Sequence, residues 1–206
     1  MKISSVEKRH KRSNVRMIYI NDEYSFDISD ELFMKYNLYE KTEITEAEIT
    51  EIKNRQMLAD AKKEGLRFAA SRIRTEKEVF KKLISKGYAE HTAQEAADEL
   101  RSLGYLDDRE YARKYILDKI KLNPKSKELI KKELVSKGIS RDTAQNALSE
   151  CRLDDLSIAE TLVAKKFSKF NCSDLNVQKK IYNFLAYRGF RQEVIENIID
   201  KHNRQI

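Results

Sequence analysis

The chain has 206 residues, with 41 Lys and Arg against 34 Asp and Glu and a formal net charge of +7 at pH 7, and this surplus suggests an acidic partner. No apolar run approaches the ~18 residues needed to span a bilayer, and the basic N-terminal stretch lacks the apolar segment of a secretory signal. Two cysteines do not make a disulfide framework. We therefore expect a cytoplasmic protein that does not bind membranes.

The first 44 residues are predicted to form a small module of their own. VRMIYI (15–20) and YSFDI (24–28) are rich in β-branched and aromatic residues and are separated by three polar residues, which predicts a β-hairpin. SDEL (29–32) then predicts a short helix capped by Ser29 or Asp30. Because an isolated hairpin is only marginally stable, we expect module 1–44 to pack on the helices that follow.

Beyond the module, the sequence repeats at a spacing of 51 residues. KKLISKG (81–87), KELVSKG (132–138) and NFLAYRG (183–189) share their apolar positions and end on glycine. Self-similarity at this period is typical of helical repeat arrays. The predicted fold is mainly α: an elongated, curved array of three tandem three-helix repeats, 45–104, 105–152 and 153–206, behind the module 1–44.

Each repeat is predicted to contain three helices. The predicted spans are about 46–73, 75–86 and 91–103 in the first repeat, 108–121, 126–137 and 141–152 in the second, and 155–168, 174–188 and 191–203 in the third. TEAE (45–48) and TEKE (75–78) are capping boxes that start two of these helices. Gly65 is a candidate break in the first helix, since a glycine inside a helix costs about 1 kcal/mol relative to alanine.

The middle helices of the three repeats carry many cations. Because Val79, Leu83 and their counterparts must face the core, the cations are expected on the outward side. They are Lys81, Lys82, Lys86, Lys131, Lys132, Lys137, Lys179, Lys180 and Arg188. Aligned helices would join these side chains into one basic surface for a phosphate backbone or an acidic protein groove. The alternative is that single lysines only keep a helix face solvated.

Several tyrosines are candidates for stacking on single-stranded bases. They are Tyr88, Tyr105, Tyr111 and Tyr115. Tyr105 and Tyr111 are expected to pack in the core instead.

The most distinctive stretch is GYLDDREYARKY (104–115). Gly104 is predicted to end a helix, Tyr105 and Leu106 to fold back as an apolar contact, Asp107 to cap the next helix and Asp108 to place negative charge in its first turn. Leu-Asp-Asp recurs at 153–155. Together with Gly87, Gly138 and Gly189, these residues are the predicted structural junctions of the repeats.

No catalytic site is evident in the sequence. Asp107 and Asp108 are a poor metal pair, because adjacent side chains at a helix start diverge, and a nuclease built on them is a distant alternative. The glycines are too dispersed for a phosphate-binding loop, and the three histidines show no ligand spacing. We expect a protein that is not an enzyme, with no metal and no cofactor.

GYLDDREYARKY, RIRTEKEVFKKLISKGY (72–88) and KELIKKELVSKGI (127–139) closely resemble the RecX family of recombination regulators over roughly residues 60–200. The resemblance implies tandem three-helix repeats that bind the RecA recombinase along the groove of its filament on single-stranded DNA. There such proteins restrain ATP hydrolysis and strand exchange and favour filament loss, which implies roles in homologous recombination, DNA repair and the SOS response.

By the same resemblance, Arg72, Arg74, Lys86 and Lys137 are the leading contact candidates, although the two arginines could instead pair with nearby glutamates. The family often carries a basic, glycine-containing segment before the second repeat's middle helix. Here it reads KLNPKSKE (121–128), in which Lys121, Lys125 and Lys127 preserve the charge.

We expect a monomer whose partners are the RecA filament and single-stranded DNA, with non-specific binding of double-stranded DNA left open. The alternatives are a stand-alone DNA-binding repeat protein and a protein–protein scaffold.

Overall fold

A computed structural model of the chain describes residues 1–170 and 174–203. These residues form two compact units, one comprising Met1–Arg72 with Val79–Tyr105 and the other comprising Ile73–Glu78 with the described residues from Leu106 onward. Among the described residues, no helix combines the length and the apolar character that crossing a bilayer requires.

The N-terminal module is built on a three-stranded antiparallel sheet in the order β1 (Ile3–Lys8), β2 (Val15–Ile20) and β3 (Glu23–Ser29). The predicted hairpin is β2–β3, in which Ile18 pairs with Phe26. Its turn has Asn21 and Asp22 at φ +51° and +67°, which matches the right-handed twist of the strands. Strand β1 was not predicted, so the expectation of a hairpin alone was incomplete.

Two helices complete the core of this module. Helix α1 (Asp30–Lys35) is capped by Ser29, and α2 (Glu46–Ala70) starts with the predicted capping box of Thr45 and Glu48. The apolar core of the module joins the sheet, α1 and the start of α2. Its buried residues are Ile18, Ile20, Phe26, Ile28, Leu32, Phe33, Leu38, Ile44, Ile49 and Ile52. The module therefore packs on the helix that follows it, as predicted.

In the part of the chain that the structure describes, eight further helices follow in the predicted order. They are α3 (Glu76–Ser85), α4 (Glu90–Ser102), α5 (Asp108–Leu122), α6 (Lys127–Ser136), α7 (Arg141–Glu150), α8 (Asp155–Phe167), α9 (Leu175–Tyr187) and α10 (Gln192–Asn203). With α2, they give three groups of three helices, and the mainly helical fold with its tandem three-helix repeats is confirmed. Gly87, Gly104, Gly138 and Gly189 all have positive φ, as expected for residues that follow helix ends.

The predicted break at Gly65 is wrong, because α2 continues through this residue. A Cβ atom at Gly65 would lie 2.8 Å from Leu100 Cδ1 on α4 and 3.2 Å from Val79 Cγ1 on α3. The glycine thus lets these helices pack closely within the first repeat, and this packing outweighs its low helix propensity.

Candidate binding surface

The middle helices of the three repeats are α3, α6 and α9, and each buries two apolar side chains at equivalent positions. The pairs are Val79 and Leu83, Ile130 and Leu134, and Ile181 and Leu185. Most of the predicted cations of these helices lie away from the buried pairs. Lys81, Lys132, Lys179 and Lys180 are exposed, whereas Lys82 and Lys131 are half-buried.

The cations of the three middle helices are only partly equivalent. At the 51-residue spacing, Lys81 corresponds to Lys132, but Lys82 corresponds to Glu133 and Lys131 to Phe80. In the structure, Lys82 Nζ lies 5.7 Å from the centroid of the Phe68 ring and Lys131 Nζ donates to Gln145 Oε1 at 2.8 Å. The three repeats therefore share a basic character on these helices rather than identical copies of one charge pattern.

One cation recurs in all three repeats at the end of the middle helix. We call Lys86, Lys137 and Arg188 the helix-end cations. Each is held by a contact within its own repeat: Lys86 Nζ lies 3.5 Å from Glu64 Oε1, Lys137 Nζ lies 5.5 Å from the centroid of the Tyr115 ring, and Arg188 Cζ lies 4.0 Å from that of Phe184. A cation is also favoured at this end of a helix by the helix dipole.

Glu133 is the centre of a basic cluster in the second repeat. Its carboxylate pairs with Lys125 and accepts a hydrogen bond from the Tyr115 hydroxyl at 2.8 Å, while Lys119 Nζ lies 3.8 Å away. Partial burial opposes ionisation of Glu133, but these donors and cations outweigh it and lower its pKa. Partial burial and the bond to Glu133 raise the pKa of Tyr115.

This cluster determines how the KLNPKSKE segment presents its charge. Only 19% of the Lys125 side chain is exposed, because its ammonium group points towards Glu133. Lys127 is exposed instead. Of the other predicted contacts, Arg72 is exposed and Arg74 is half-buried.

The predicted tyrosines fall into different environments. Tyr111 is buried, as expected, and its ring stacks on Tyr115 with 6.1 Å between the centroids. The core position predicted for Tyr105 is wrong, since 55% of this residue is exposed. Its backbone N–H does fold back to the carbonyl of Leu100 at 2.9 Å, but Leu106 alone supplies the apolar contact.

The two aspartates of the repeated Leu-Asp-Asp motif cap different helices. Asp107 Oδ1 accepts from the backbone of Arg109 and Glu110, which confirms it as the cap of α5. Asp108 Oδ1 instead accepts from the N–H of Glu76, the first residue of α3, at 3.0 Å.

The same arrangement recurs in the next repeat. Asp154 caps α8, and Asp155 Oδ1 accepts from the N–H of Lys127, the first residue of α6, at 3.0 Å. The second aspartate of each motif thus supports the middle helix of the preceding repeat. This role of the second aspartate was not predicted from the sequence, although the recurrence of both aspartates was its signal.

Further bonds join the ends of successive middle helices. The Thr75 hydroxyl donates to the carbonyl of Lys137 at 2.9 Å, so the end of α6 adjoins the start of α3. The N–H of Ser126 donates to the carbonyl of Arg188 at 3.0 Å, so the end of α9 adjoins the start of α6. The helix-end cations of the second and third repeats therefore lie beside the start of the preceding middle helix.

Within the described parts of the chain, no group of three or more His, Cys, Asp or Glu residues is placed to hold a metal ion. The arrangement on the middle helices offers cations and hydrogen-bond donors, which suits the binding of an anionic surface.

Models of three successive domains of one family match this chain. They are described as the first, second and third three-helix domains of RecX, and they match residues 61–100, 107–148 and 154–199. The regulatory protein RecX of Clostridium tetani (strain Massachusetts / E88) is 30% identical over 204 residues, covering 97% of this chain and 94% of that protein. The regulatory protein RecX of Listeria innocua is 30% identical over 196 residues, covering 94% of this chain and 73% of that protein.

Solved structures show the same likeness. A crystal structure of a regulatory protein RecX superposes with a TM-score of 0.77 at 27% identity and covers 97% of this chain and 98% of that one. The crystal structure of RecX from Lactobacillus salivarius gives a TM-score of 0.62 at 27% identity and covers 71% of this chain and 97% of that one.

Proposed function

The chain belongs to the RecX family of regulatory proteins, and from this premise we propose that it binds the RecA filament on single-stranded DNA. By this binding it restrains ATP hydrolysis and strand exchange and favours loss of the filament. It acts without chemistry of its own, as a regulator that binds a nucleoprotein surface.

The observation that carries this proposal is the recurrence of the helix-end cations. Lys86, Lys137 and Arg188 occupy one position in three repeats, and each side chain rests on a partner in its own repeat. A side chain that is already held in place loses less conformational entropy when it binds. Such cations suit a ligand that is itself a repeating polyanion, as a DNA-containing filament is.

The exposed lysines of the middle helices add to this surface. Lys81 and Lys132 are equivalent, exposed and unpaired among the described residues. Lysines on a helix face contact phosphates rather than base edges, so the binding is expected to be independent of DNA sequence. It should also weaken with salt, because each phosphate contact releases a counterion.

The test is RecA ATP hydrolysis on single-stranded DNA with substoichiometric protein, at about 50 and about 200 mM salt. The wild-type chain should inhibit hydrolysis, more strongly at the lower salt. Charge reversal at Lys81→Glu with Lys132→Glu should weaken the inhibition about tenfold, since two favourable contacts become repulsive. The matched control is Lys63→Glu with Lys165→Glu, which reverses two exposed lysines on the first helices of repeats and should inhibit like the wild type.

The outcomes separate the candidate functions. Inhibition lost in the middle-helix variant and kept in the control supports the proposal, provided that circular dichroism shows unchanged helix content in both. Steeply salt-dependent DNA binding without inhibition would favour a stand-alone DNA-binding protein. Neither binding nor inhibition would favour a protein–protein scaffold.

A further inference from the structure

The turn between β1 and β2 concentrates positive charge in the first unit. Residues 8–12 read Lys-Arg-His-Lys-Arg, all five are exposed, and no acidic residue occurs between Lys8 and Arg16. We call residues 8–12 the basic hairpin tip. Neither the middle helices nor the repeat junctions include it.

Three hydrogen bonds involve the backbone in and beside the tip. Ser13 N–H donates to the carbonyl of His10 at 2.8 Å, and the buried Ser13 hydroxyl accepts from the N–H of Val15 at 3.1 Å. Arg9 N–H donates to the carbonyl of Val15 at 3.2 Å. Strand β1 is anchored below the tip, where Ile3 and Val6 pack against the core. The tip thus presents its side chains from a defined ribbon.

Most of the charge on this tip is not neutralised within the protein. Arg9 pairs with Asp27 at 3.0 Å but stays 61% exposed. Among the described residues, Lys8, Lys11 and Arg12 have no carboxylate within ion-pair distance. Residues 17–44 of the module have the opposite sign, since they contain seven Asp and Glu against two Lys and Arg. The module is therefore basic at the hairpin tip, whereas the part of its sequence that follows is acidic.

From this pattern, we propose that the basic hairpin tip binds the phosphate backbone of duplex nucleic acid. A two-stranded β-ribbon fits the major groove of a duplex. Duplex DNA carries one negative charge per about 1.7 Å of its axis, against about 3.4 Å for one strand. A compact group of cations on one turn therefore meets more phosphates on a duplex than on a single strand.

The composition of the tip argues against other anionic partners. Residues 9–14 include no apolar side chain. Binding to a membrane surface draws on buried apolar area as well as on charge. Protein interfaces likewise depend on a few large, well-packed side chains, with tryptophan and tyrosine enriched among them. A ligand that offers mainly phosphates is the better match.

The experiment uses the full chain and a labelled duplex of mixed sequence, long enough at about 30 base pairs to cover several helical turns. Fluorescence anisotropy measures the affinity for this duplex at salt concentrations between about 50 and 200 mM. The wild type is compared with the tip variant, which is Lys11→Glu with Arg12→Glu. The control, Lys35→Glu with Lys63→Glu, reverses two exposed lysines outside the tip. Each substitution lowers the formal net charge by 2, so each double variant has a formal net charge of +3 instead of +7.

The tip variant should bind the duplex about tenfold more weakly, and its slope of log affinity against log salt should be shallower by about 2, at ~0.9 per lost phosphate contact. The control should match the wild type. Equal weakening in both variants, or no weakening in the tip variant, would overturn the proposal. So would a loss of binding to phosphatidylserine vesicles with duplex affinity intact.

This inference stands apart from the proposed function, because duplex binding is measured without RecA. A chain that fails to inhibit RecA but loses duplex affinity in the tip variant would refute only the proposed function. If the middle-helix variant lost RecA inhibition but the tip variant bound the duplex as tightly as the wild type, only the inference would be refuted.

Discussion

At the scale of single residues, Glu133 shows how one carboxylate organises a basic region. Lys119 and Lys125 approach it directly, the Tyr115 hydroxyl donates to it, and Lys137 lies over the Tyr115 ring. Without this carboxylate, the partly buried cations would repel one another and Tyr115 would lose its acceptor. Glu133 is thus a structural requirement of the surface that carries Lys137.

Replacing Glu133 by Gln should lower the free energy of unfolding at pH 7 by about 1.5–3 kcal/mol, the size of a hydrogen bond to a charged group. The folded state lowers the pKa of Glu133, so its stabilisation is present above the unfolded pKa, near 4.5, and is lost as the pH falls through the folded value. Urea unfolding should show the gap between variant and wild type narrowing as the pH falls below about 4.

The control for this change is Glu128→Gln, an exposed residue on the same helix, whose cost should be only some tenths of a kcal/mol. A gap for the Glu133 variant that is constant with pH would show that its carboxylate is not held by these contacts.

At the scale of helices, the repeat junctions depend on glycines for two separate reasons. Gly87 and Gly138 follow equivalent helices at φ +91° and +102°, a region that residues with a Cβ rarely adopt. A Cβ at Gly87 would meet nothing within 4 Å, whereas one at Gly138 would lie 2.4 Å from Lys77 Cβ at the start of α3. The two sites therefore separate the cost of the backbone conformation from the cost of the contact.

Gly87→Ala should destabilise the protein by about 1–2 kcal/mol, the cost of the left-handed conformation alone. Gly138→Ala should cost about 1–3 kcal/mol more, since the added methyl group must displace the start of α3. Urea unfolding followed by circular dichroism measures both. Equal costs would mean that the start of α3 does not pack tightly on Gly138 in solution.

Most helices could be predicted because their signals are local. The Thr45 and Thr75 capping boxes, the Asp107 cap and the glycines past helix ends each act within a few residues. Features that depend on distant partners could not be predicted. Strand β1 exists through its pairing with β2, α2 passes through Gly65 because of packing against Leu100, and Asp108 caps a helix 32 residues earlier.

The same distinction between local signals and distant partners applies to the residues of the candidate binding surface. The outward position of Lys81 and Lys132 followed from the helical period, because their helices had to bury Val79, Leu83 and their counterparts. The inward orientation of Lys125 could not be derived in this way, because it depends on the ion pair with Glu133. The equivalent position in the first repeat is Lys82, so the repeat pattern gave no sign of this pair. Their roles in binding remain predictions of the proposed function.

At the scale of the whole molecule, the buried apolar residues form separate clusters in the N-terminal module and in the repeats. One cluster of buried residues joins the sheet to α1 and α2, a second lies within α5, α6 and α7 and the residues beside them, and a third lies within α8, α9 and α10. In a repeat protein, stability is approximately a sum of such units and of the interfaces between neighbours. A substitution in one of these clusters should therefore destabilise the helices of that cluster more than the other elements.

Leu185→Ala tests this division, because Leu185 is fully buried on α9 in the third cluster. Truncation of a buried leucine costs about 2–5 kcal/mol, which should speed exchange of the most protected amides of α8, α9 and α10 by roughly 30-fold or more, at about 1.4 kcal/mol per factor of ten. Amides of α5, α6 and α7 should respond less, through the junction at Ser126, and those of β2 and β3 should not change. Leu175→Ala, on the same helix but 72% exposed, is the control and should leave exchange as in the wild type. Equal acceleration in every element would instead mean that the sheet and all three repeats open as one cooperative unit.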